Sequence, residues 1–312
     1  MEDLYVGVDL GGTKIYTALA NEKGEILKES ILKTEAEKGV NHIVNNIKKS
    51  IYDVLENISK EEIKSIGIGS PGPIDIKNGL IAEPANLPFK NYNIVKELND
   101  EFKIKVFLDN DANVATLAEY MFGSGKGTEN MIYVTVSKGI GGGAILNGKI
   151  YRGSTSNALE IGHTTINLNG TRCGCGNRGC VESMASGTAI SKNAKDALKS
   201  RVQTSLRNYE NITAKEVFIE AEKGDRISKE ILEECLSYLG TSIANIANIF
   251  DPDVIVIGGG VTNGGKVHFD KVNKEMERRC LGPILKNCSI KKSELDEKVG
   301  VLGAIALAMS GK

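Results

Sequence analysis

A chain of 312 residues with 41% hydrophobic and 25% charged residues has the make-up of an ordinary soluble globular protein, and its length favours two domains over one core. Its 39 basic and 40 acidic residues leave a formal net charge of −1, which gives no electrostatic case for a nucleic-acid partner. No apolar run approaches the roughly 20 residues of a membrane span, and the stretch before Asp9 is short and acidic, so a cytoplasmic enzyme without a membrane partner is expected.

Residues 5–9 alternate as a strand, Gly11 and Gly12 make a tight turn, and residues 15–20 return as a second strand toward a turn at 21–24. The bend of this hairpin reads Asp9-Leu10-Gly11-Gly12-Thr13-Lys14. Its glycines admit a phosphate to backbone N–H groups, Thr13 and Lys14 add a hydroxyl and a cation, and Asp9 can hold Mg2+ directly or through water. A plain hairpin turn is the alternative. Val40, Ile43, Val44, Ile47, Ile51, Val54 and Leu55 recur at helical spacing and predict an amphipathic helix over about 39–58.

Residues 63–69 read as a buried strand ending in Gly69-Ser70-Pro71-Gly72-Pro73, a rigid loop where open α/β sheets place ligands. Residues 105–108 form another strand and run into Asp109-Asn110-Asp111-Ala112-Asn113 before a helix over about 112–121. Asp111 is either that helix's N-cap or a base placed to take a proton from a substrate hydroxyl as a phosphoryl group arrives.

The run Gly123-Ser124-Gly125-Lys126-Gly127-Thr128 fails as a P-loop, since Tyr120 stands five positions before Gly125 and Gly127 follows Lys126. It reads as a flexible connector and domain boundary. Residues 131–136 are a strand, Gly139-Ile140-Gly141-Gly142-Gly143 a bend, and 144–146 a returning strand. A second glycine-bent hairpin thus repeats the first, suggesting a duplicated architecture that grips a nucleotide's phosphates from both sides.

Residues 184–199 read as a polar helix, and the apolar positions from Leu236 to Phe250 as a long amphipathic helix stopped by Asp251-Pro252-Asp253. The strand at 254–257 delivers Gly258, Gly259 and Gly260 to a loop suited to a flat base or ribose, or simply to a tight turn into a helix. Residues 271–279 read as a surface helix, and 299–310 as an apolar helix returning to the first domain.

The stretch from Glu160 to Glu182 resists any reading as ordinary packing. It holds Cys173, Cys175 and Cys180, half of the six cysteines, and His163, one of three histidines. Three thiolates and an imidazole are the ligand set of a closed, structural Zn2+ site, and the intervening glycines let the backbone fold around one ion. Inert thiols or a disulfide are the alternative. A filled site does not need Glu160 and Glu182, so a metal here would hold two carboxylates in place for another purpose. Cys235, Cys280 and Cys288 read as reduced structural thiols.

Taken together, Asp-Leu-Gly-Gly-Thr-Lys, Asp-Asn-Asp-Ala-Asn, Gly-Ile-Gly-Gly-Gly, Glu-Ile-Gly-His with the cysteine cluster, and Asp-Pro-Asp-Val-Ile-Val-Ile-Gly-Gly-Gly resemble the ROK family of sugar kinases in their order. The resemblance implies an actin-like, hexokinase-type fold, two α/β domains around a central cleft that close on ATP and a hexose. The expected division is a small domain of 1–118 with 300–312 and a large one of 119–299. It implies Asp111 as catalytic base, with Asn110, Glu160, His163 and Glu182 on the other sugar hydroxyls. Gly11, Gly12, Thr13 and Gly139 would hold phosphates, and Gly258 to Gly260 the adenosine; His163, Cys173, Cys175 and Cys180 would ligate zinc.

The chain departs from the family's pattern twice. Lys138 stands where Thr usually precedes the second phosphate loop's glycine, so its charge either approaches the nucleotide or points to solvent. Leu159 stands where Gly often precedes the Glu-x-Gly-His motif. The expected activity is transfer of the γ-phosphoryl group of ATP to the 6-hydroxyl of glucose, with fructose, mannose and N-acetylhexosamines as alternatives. Sugar preference is expected to depend on loops around Gly72, Asn86 and 154–159. The resemblance also suggests a homodimer or homotetramer. A sugar-sensing regulator would carry a DNA-binding helix-turn-helix ahead of the phosphate loop, where eight residues precede Asp9 here.

Overall fold

The computed structural model describes residues 2–200 and 202–311. In chain order its first elements are β1 (Leu4–Leu10), β2 (Lys14–Asn21), β3 (Ile26–Lys33), α1 (Val40–Leu55), β4 (Ile63–Ser70), β5 (Ile74–Asp75), β6 (Leu80–Ile81), β7 (Tyr92–Asn93), α2 (Ile94–Phe102), β8 (Lys105–Asn110) and α3 (Asp111–Met121). There follow β9 (Met131–Val136), β10 (Ile140–Leu146), β11 (Lys149–Tyr151), α4 (Val181–Ala185), α5 (Gly187–Lys199), α6 (Ala214–Glu222), α7 (Arg226–Phe250), β12 (Val254–Gly258), α8 (Lys266–Arg279), α9 (Gly282–Asn287), β13 (Ser289–Lys292) and α10 (Val299–Ser310).

Among the described residues the strands form sheets in the orders β3-β2-β1-β4-β8, β11-β10-β9-β12-β13 and β5-β6-β7. The chain divides into two compact units: residues 1–127 with 143–158 and 294–312, and residues 128–142 with 159–293. The unit boundary falls inside β10, and 119–127, 143–158 and 294–299 lie in the first unit. Arg152 and Gly143 are part of the reason. The first bonds Asp109, and the second lies so close to α3 that a Cβ would stand 2.2 Å from the Thr116 hydroxyl.

In the first unit, β2 pairs antiparallel with both β1 and β3, whereas β4 and β8 continue the sheet from β1 in parallel. Side chains alternate faces along a strand, so β1 divides its residues between two layers. Val6, Val8 and Leu10 join Ile15, Leu19 and the apolar stripe of α1 (Ile43, Ile47, Ile51) in one core. Full burial of one such residue, Ile47 at 0% exposure, contributes about 1.5–3 kcal/mol. Tyr5, Gly7 and Asp9 fall on the opposite face, where Val301 and Ile305 of α10 pack with Tyr16, Ala18 and Ala118. α10 lies nearly on the backbone: a Cβ on Gly67 of β4 would stand 2.0 Å from the Ala304 carbonyl, and one on Gly7 would stand 2.7 Å from that of Val301. That close seating brings the start of α10 beside Asp9.

The second unit is built on the parallel strands β9, β12 and β13, with α7 packed by α4, α5, α6 and α8. Asp251 ends α7 with φ at 43°, and the Asp253 carboxylate accepts the N–H groups of Glu129 and Asn130, joining the helix stop to the entry of β9.

Several expectations need correction. Gly141, Gly142 and Gly143 lie within β10, and the bend is at 137–139, where the Ser137 N–H donates to the Gly139 carbonyl. Gly142 and Gly143 answer crowding, since a Cβ on Gly142 would meet Ile161 and the Tyr133 carbonyl at 2.8 and 2.9 Å. The predicted single helix over 184–199 is two, broken at Ser186, whose hydroxyl caps α5 by accepting from Ala189. The segment at 123–128 is pinned rather than loose: Ser124 N–H donates to the Glu119 carboxylate and Gly125 N–H to the Glu119 carbonyl. Finally, α8 is half interior. Glu275 is 1% exposed and takes Lys271, Arg278 and Arg279 because Gly240 of α7 lets α8 approach.

Candidate active site

In the first unit the β1–β2 bend is closed by Gly11 N–H donating to the Lys14 carbonyl at 2.9 Å. Thr34 braces it from β3's end: its hydroxyl donates to the Gly11 carbonyl and its N–H to the Thr13 carbonyl. The backbone beside Gly12 is open enough that a Cβ there would first meet Asn86 at 3.4 Å. Gly72 is exposed between two prolines, with a cis peptide to Pro73.

Asp9 lies where β1 meets α10, and a Cβ on Gly300 would stand 2.4 Å from its Oδ2. Burial pushes the Asp9 carboxyl up to about 6, Lys14 opposes the rise and the charge of Asp111 adds to it. Because this pKa is raised, the neutral form is favoured in the native state, and the ionised form costs stability as pH rises from 3.8 through about 6. We expect Asp9→Asn to melt at a higher temperature than the parent at pH 7 in magnesium-free buffer and at the same temperature at pH 3. Equal melting at both values would show that the carboxylate is not strained.

Asp111 stands at the first position of α3 and is exposed. The capping role belongs to Asn110, whose Oδ1 accepts from Asn113 N–H at 2.7 Å, so the alternative reading of Asp111 as N-cap falls. Asp111 Oδ1 accepts from Ala112 N–H at 2.8 Å. Sequence reasoning missed the first residue of the motif. Asp109 is fully buried and accepts from Asn110 N–H, from Asn113 Nδ2 and from Arg152 Nε. A buried aspartate at a strand's end, which needs a cation, was the signal available.

In the second unit the loop after β9 is held from three sides. The Ser137 carbonyl accepts from Gly187 N–H and that of Lys138 from Thr188 N–H, at the start of α5. The Ser137 hydroxyl accepts from Gly260 N–H at 3.2 Å, and the Glu182 carboxylate accepts from Ile140 N–H at 3.1 Å. Gly259 has φ at 91° and lies so close that a Cβ would stand 2.5 Å from the Val136 carbonyl, so only glycine fits there. The structure thus brings Gly139, Glu182 and Gly258 to Gly260 around one loop; the Lys138 side chain is exposed.

His163, Cys173, Cys175 and Cys180 converge so that one donor atom of each lies within 4.8 Å of the others. His163 Nδ1 is 3.7 Å from Cys173 Sγ, and Cys175 Sγ is 3.7 Å from Cys180 Sγ, too long for a disulfide at about 2.05 Å. A tetrahedron with metal–sulfur bonds of about 2.3 Å has edges of about 3.8 Å, so the donor set and spacing fit a four-coordinate cation. Tight turns make this possible. Gly176 N–H donates to the Cys173 carbonyl, and Cys173 N–H to that of Asn177. Glu160 and Glu182 flank the cluster: Glu160 precedes the short turn carrying His163, and Glu182 lies in α4, which begins after Cys180.

Leu159, just before Glu160, has φ at 63°, the one aliphatic residue in that region among the described residues. The left-handed conformation costs a branched residue about 1–2 kcal/mol. Leu159→Gly should therefore stabilise the protein by up to about 1 kcal/mol after the extra freedom of glycine in the unfolded chain is subtracted. Thermal denaturation checks this, and an unchanged or lower midpoint would show that packing of the leucine outweighs the strain. A cavity of about 800 Å3 among α6, α7 and α8, lined by Phe218, Leu232, Leu236 and Val267, contains none of the candidate catalytic, binding or metal-ligating residues.

Two α/β units, one with a glycine-bent phosphate-type hairpin and a strand-end aspartate, the other with a braced glycine loop, define an actin-like fold of the hexokinase type. The chain belongs to the ROK family, whose profile matches residues 5–310. It is 34% identical over 307 residues to a glucokinase of Thermotoga maritima, covering 97% of this chain and 96% of that one. It is also 31% identical to a xylose repressor of Caldicellulosiruptor bescii, over 98% of this chain and 78% of the repressor. Among solved structures, the ROK family glucokinase of Streptomyces griseus in complex with glucose and AMPPNP matches with a TM-score of 0.80 and 30% identity, over 99% of this chain and 100% of that one.

Proposed function

We propose that the protein is an ATP-dependent hexose kinase that transfers the γ-phosphoryl group of ATP to the 6-hydroxyl of glucose. The observation that carries the reading is the likeness to T. maritima glucokinase over 97% of this chain and 96% of that one. The exposed carboxylate of Asp111, relieved of capping by Asn110, supports it.

In this reading Asp111 takes the proton of the sugar hydroxyl as the phosphoryl group arrives, and Asn110, Glu160, His163 and Glu182 hold the remaining hydroxyls. Backbone N–H groups at Gly11, Gly12, Thr13 and Gly139 hold phosphate oxygens, with Lys14 and Lys138 as nearby cations, and Asp9 holds Mg2+. Gly258 to Gly260 offer bare backbone to the adenosine, and Gly72 borders the sugar. His163, Cys173, Cys175 and Cys180 would hold a structural Zn2+, whose contribution is to fix the loop. His163 Nδ1 faces Cys173 Sγ, and with that nitrogen on the metal Nε2 would be the N–H free to donate to a sugar oxygen.

A coupled ADP-release assay over glucose, fructose, mannose and N-acetylhexosamines tests the proposal: turnover with glucose is expected. Sugar binding without turnover on any member would favour a sugar-sensing regulator instead, a second reading supported by the repressor likeness. A homodimer or homotetramer in the cytoplasm is part of the same proposal.

A further inference from the structure

Asp111 owes its placement to its neighbours. Asp109 fixes the N–H of Asn110 on one side and the side chain of Asn113 on the other, while the Asn110 side chain caps the Asn113 N–H. All these bonds are local to the β8–α3 junction. An anchor that reaches the cluster from another element is Arg152, immediately after β11, whose Nε donates to Asp109 Oδ2 at 2.7 Å. Asp109 is 0% exposed and Arg152 20%, so the pair is largely removed from water, where a charge-assisted bond is strong and a lost partner is costly.

Arg152 also closes a loop. Its carbonyl accepts from Ala158 N–H at 3.2 Å, and Gly153, with φ at 72°, packs against Ala158 so closely that a Cβ would stand 3.0 Å from that of Ala158. One residue therefore closes the neck of 152–158 with its backbone and grips the base of the catalytic helix with its guanidinium. The loop it closes runs straight into Leu159 and Glu160.

We propose that Arg152 is a positioning residue for hexose phosphorylation: it sets the orientation of the junction that presents Asp111 and ties the polar loop 153–158 to it. The inference rests on the hexose kinase reading above. A displacement of about 1 Å at a reacting group can cost on the order of 10²-fold in rate, which sets the expected effect. Steady-state kinetics decide it. Arg152→Met should lower kcat/KM for the hexose by about 10²-fold with the ATP KM within about twofold of the parent. Arg152→Lys, which keeps a charge but lacks the planar guanidinium, should recover about tenfold of that loss. The double variant Arg152→Met/Asp109→Asn should be no worse than Arg152→Met alone, because both substitutions break one bond.

The double variant leaves no unpaired buried charge and serves if the single one does not fold. A hexose kcat/KM within about threefold of the parent in either would overturn the inference. A parallel rise in both KM values would do so too, marking general loosening. A parent that phosphorylates no sugar rejects the functional reading and this inference with it; an active parent beside an unaffected Arg152 variant rejects the inference alone.

Discussion

Replacing Asp111 by Ala should lower kcat by roughly 10² to 10⁴, the range contributed by a positioned general base. KM for hexose and ATP should change little, because in the proposed role the carboxylate acts in the transition state rather than in binding. Asn110 caps α3 by accepting from Asn113 N–H, and Asp109 takes the buried bonds to Asn113 and Arg152, so removing the Asp111 carboxylate leaves the junction's supports in place. An acidic residue in a helix's first turn contributes about 0.3–1 kcal/mol through the helix dipole, and the melting temperature should fall by no more than that implies. A variant with near-parental kcat sinks the assignment, whereas collapse of stability would mean that the residue is structural.

The second large effect is expected at the cysteine cluster. Cys175→Ser should release stoichiometric zinc, lower the melting temperature and raise the hexose KM together. Cys175 is exposed, whereas Cys173 and Cys180 are buried, so its substitution disturbs packing least and isolates the metal's contribution. Structural zinc contributes roughly 10–16 kcal/mol in small zinc domains, of which the loss of one ligand forfeits several. A fall of several kcal/mol corresponds to a midpoint drop on the order of 10 °C in a protein of this size. Hexose affinity should follow because His163, proposed as a zinc ligand, lies in the turn that begins after Glu160, and Cys180 immediately precedes the helix that carries Glu182. Metal analysis of the purified protein, read beside melting and kinetics of the variant, checks all three. Full activity in protein without zinc would refute the coupling.

Much of this site could be read before any coordinates, because its parts are local. Asp9 to Lys14 form one hairpin bend, and the three cysteines lie within a few residues of one another, so spacing and residue chemistry suffice to select them. Helix α1, expected over about 39–58 and found at Val40–Leu55, was legible for a similar reason, its apolar stripe repeating with the helical period over several turns. The glycine-rich run after β9 misled because glycine signals both turns and crowding; at Gly142 and Gly143 it is crowding by Ile161 and Thr116, neighbours distant in sequence. In α8, charge marked a surface helix, yet Glu275 is buried with three cations around it.

The sequence by itself determined the family, the first glycine-bent hairpin and the identity of the four clustered donors, since each depends on short-range spacing and on side-chain chemistry. Tertiary structure alone decided what surrounds them. Arg152 pairs with Asp109 across 43 positions, Glu182 takes the N–H of Ile140 across 42, and α10, from the far end of the chain, buries Asp9 and pushes its carboxyl up to about 6. Spacing along a chain reports which groups can meet through a turn or two. Desolvation and long-range pairing depend on which surfaces the whole fold removes from water, and no local pattern carries that information.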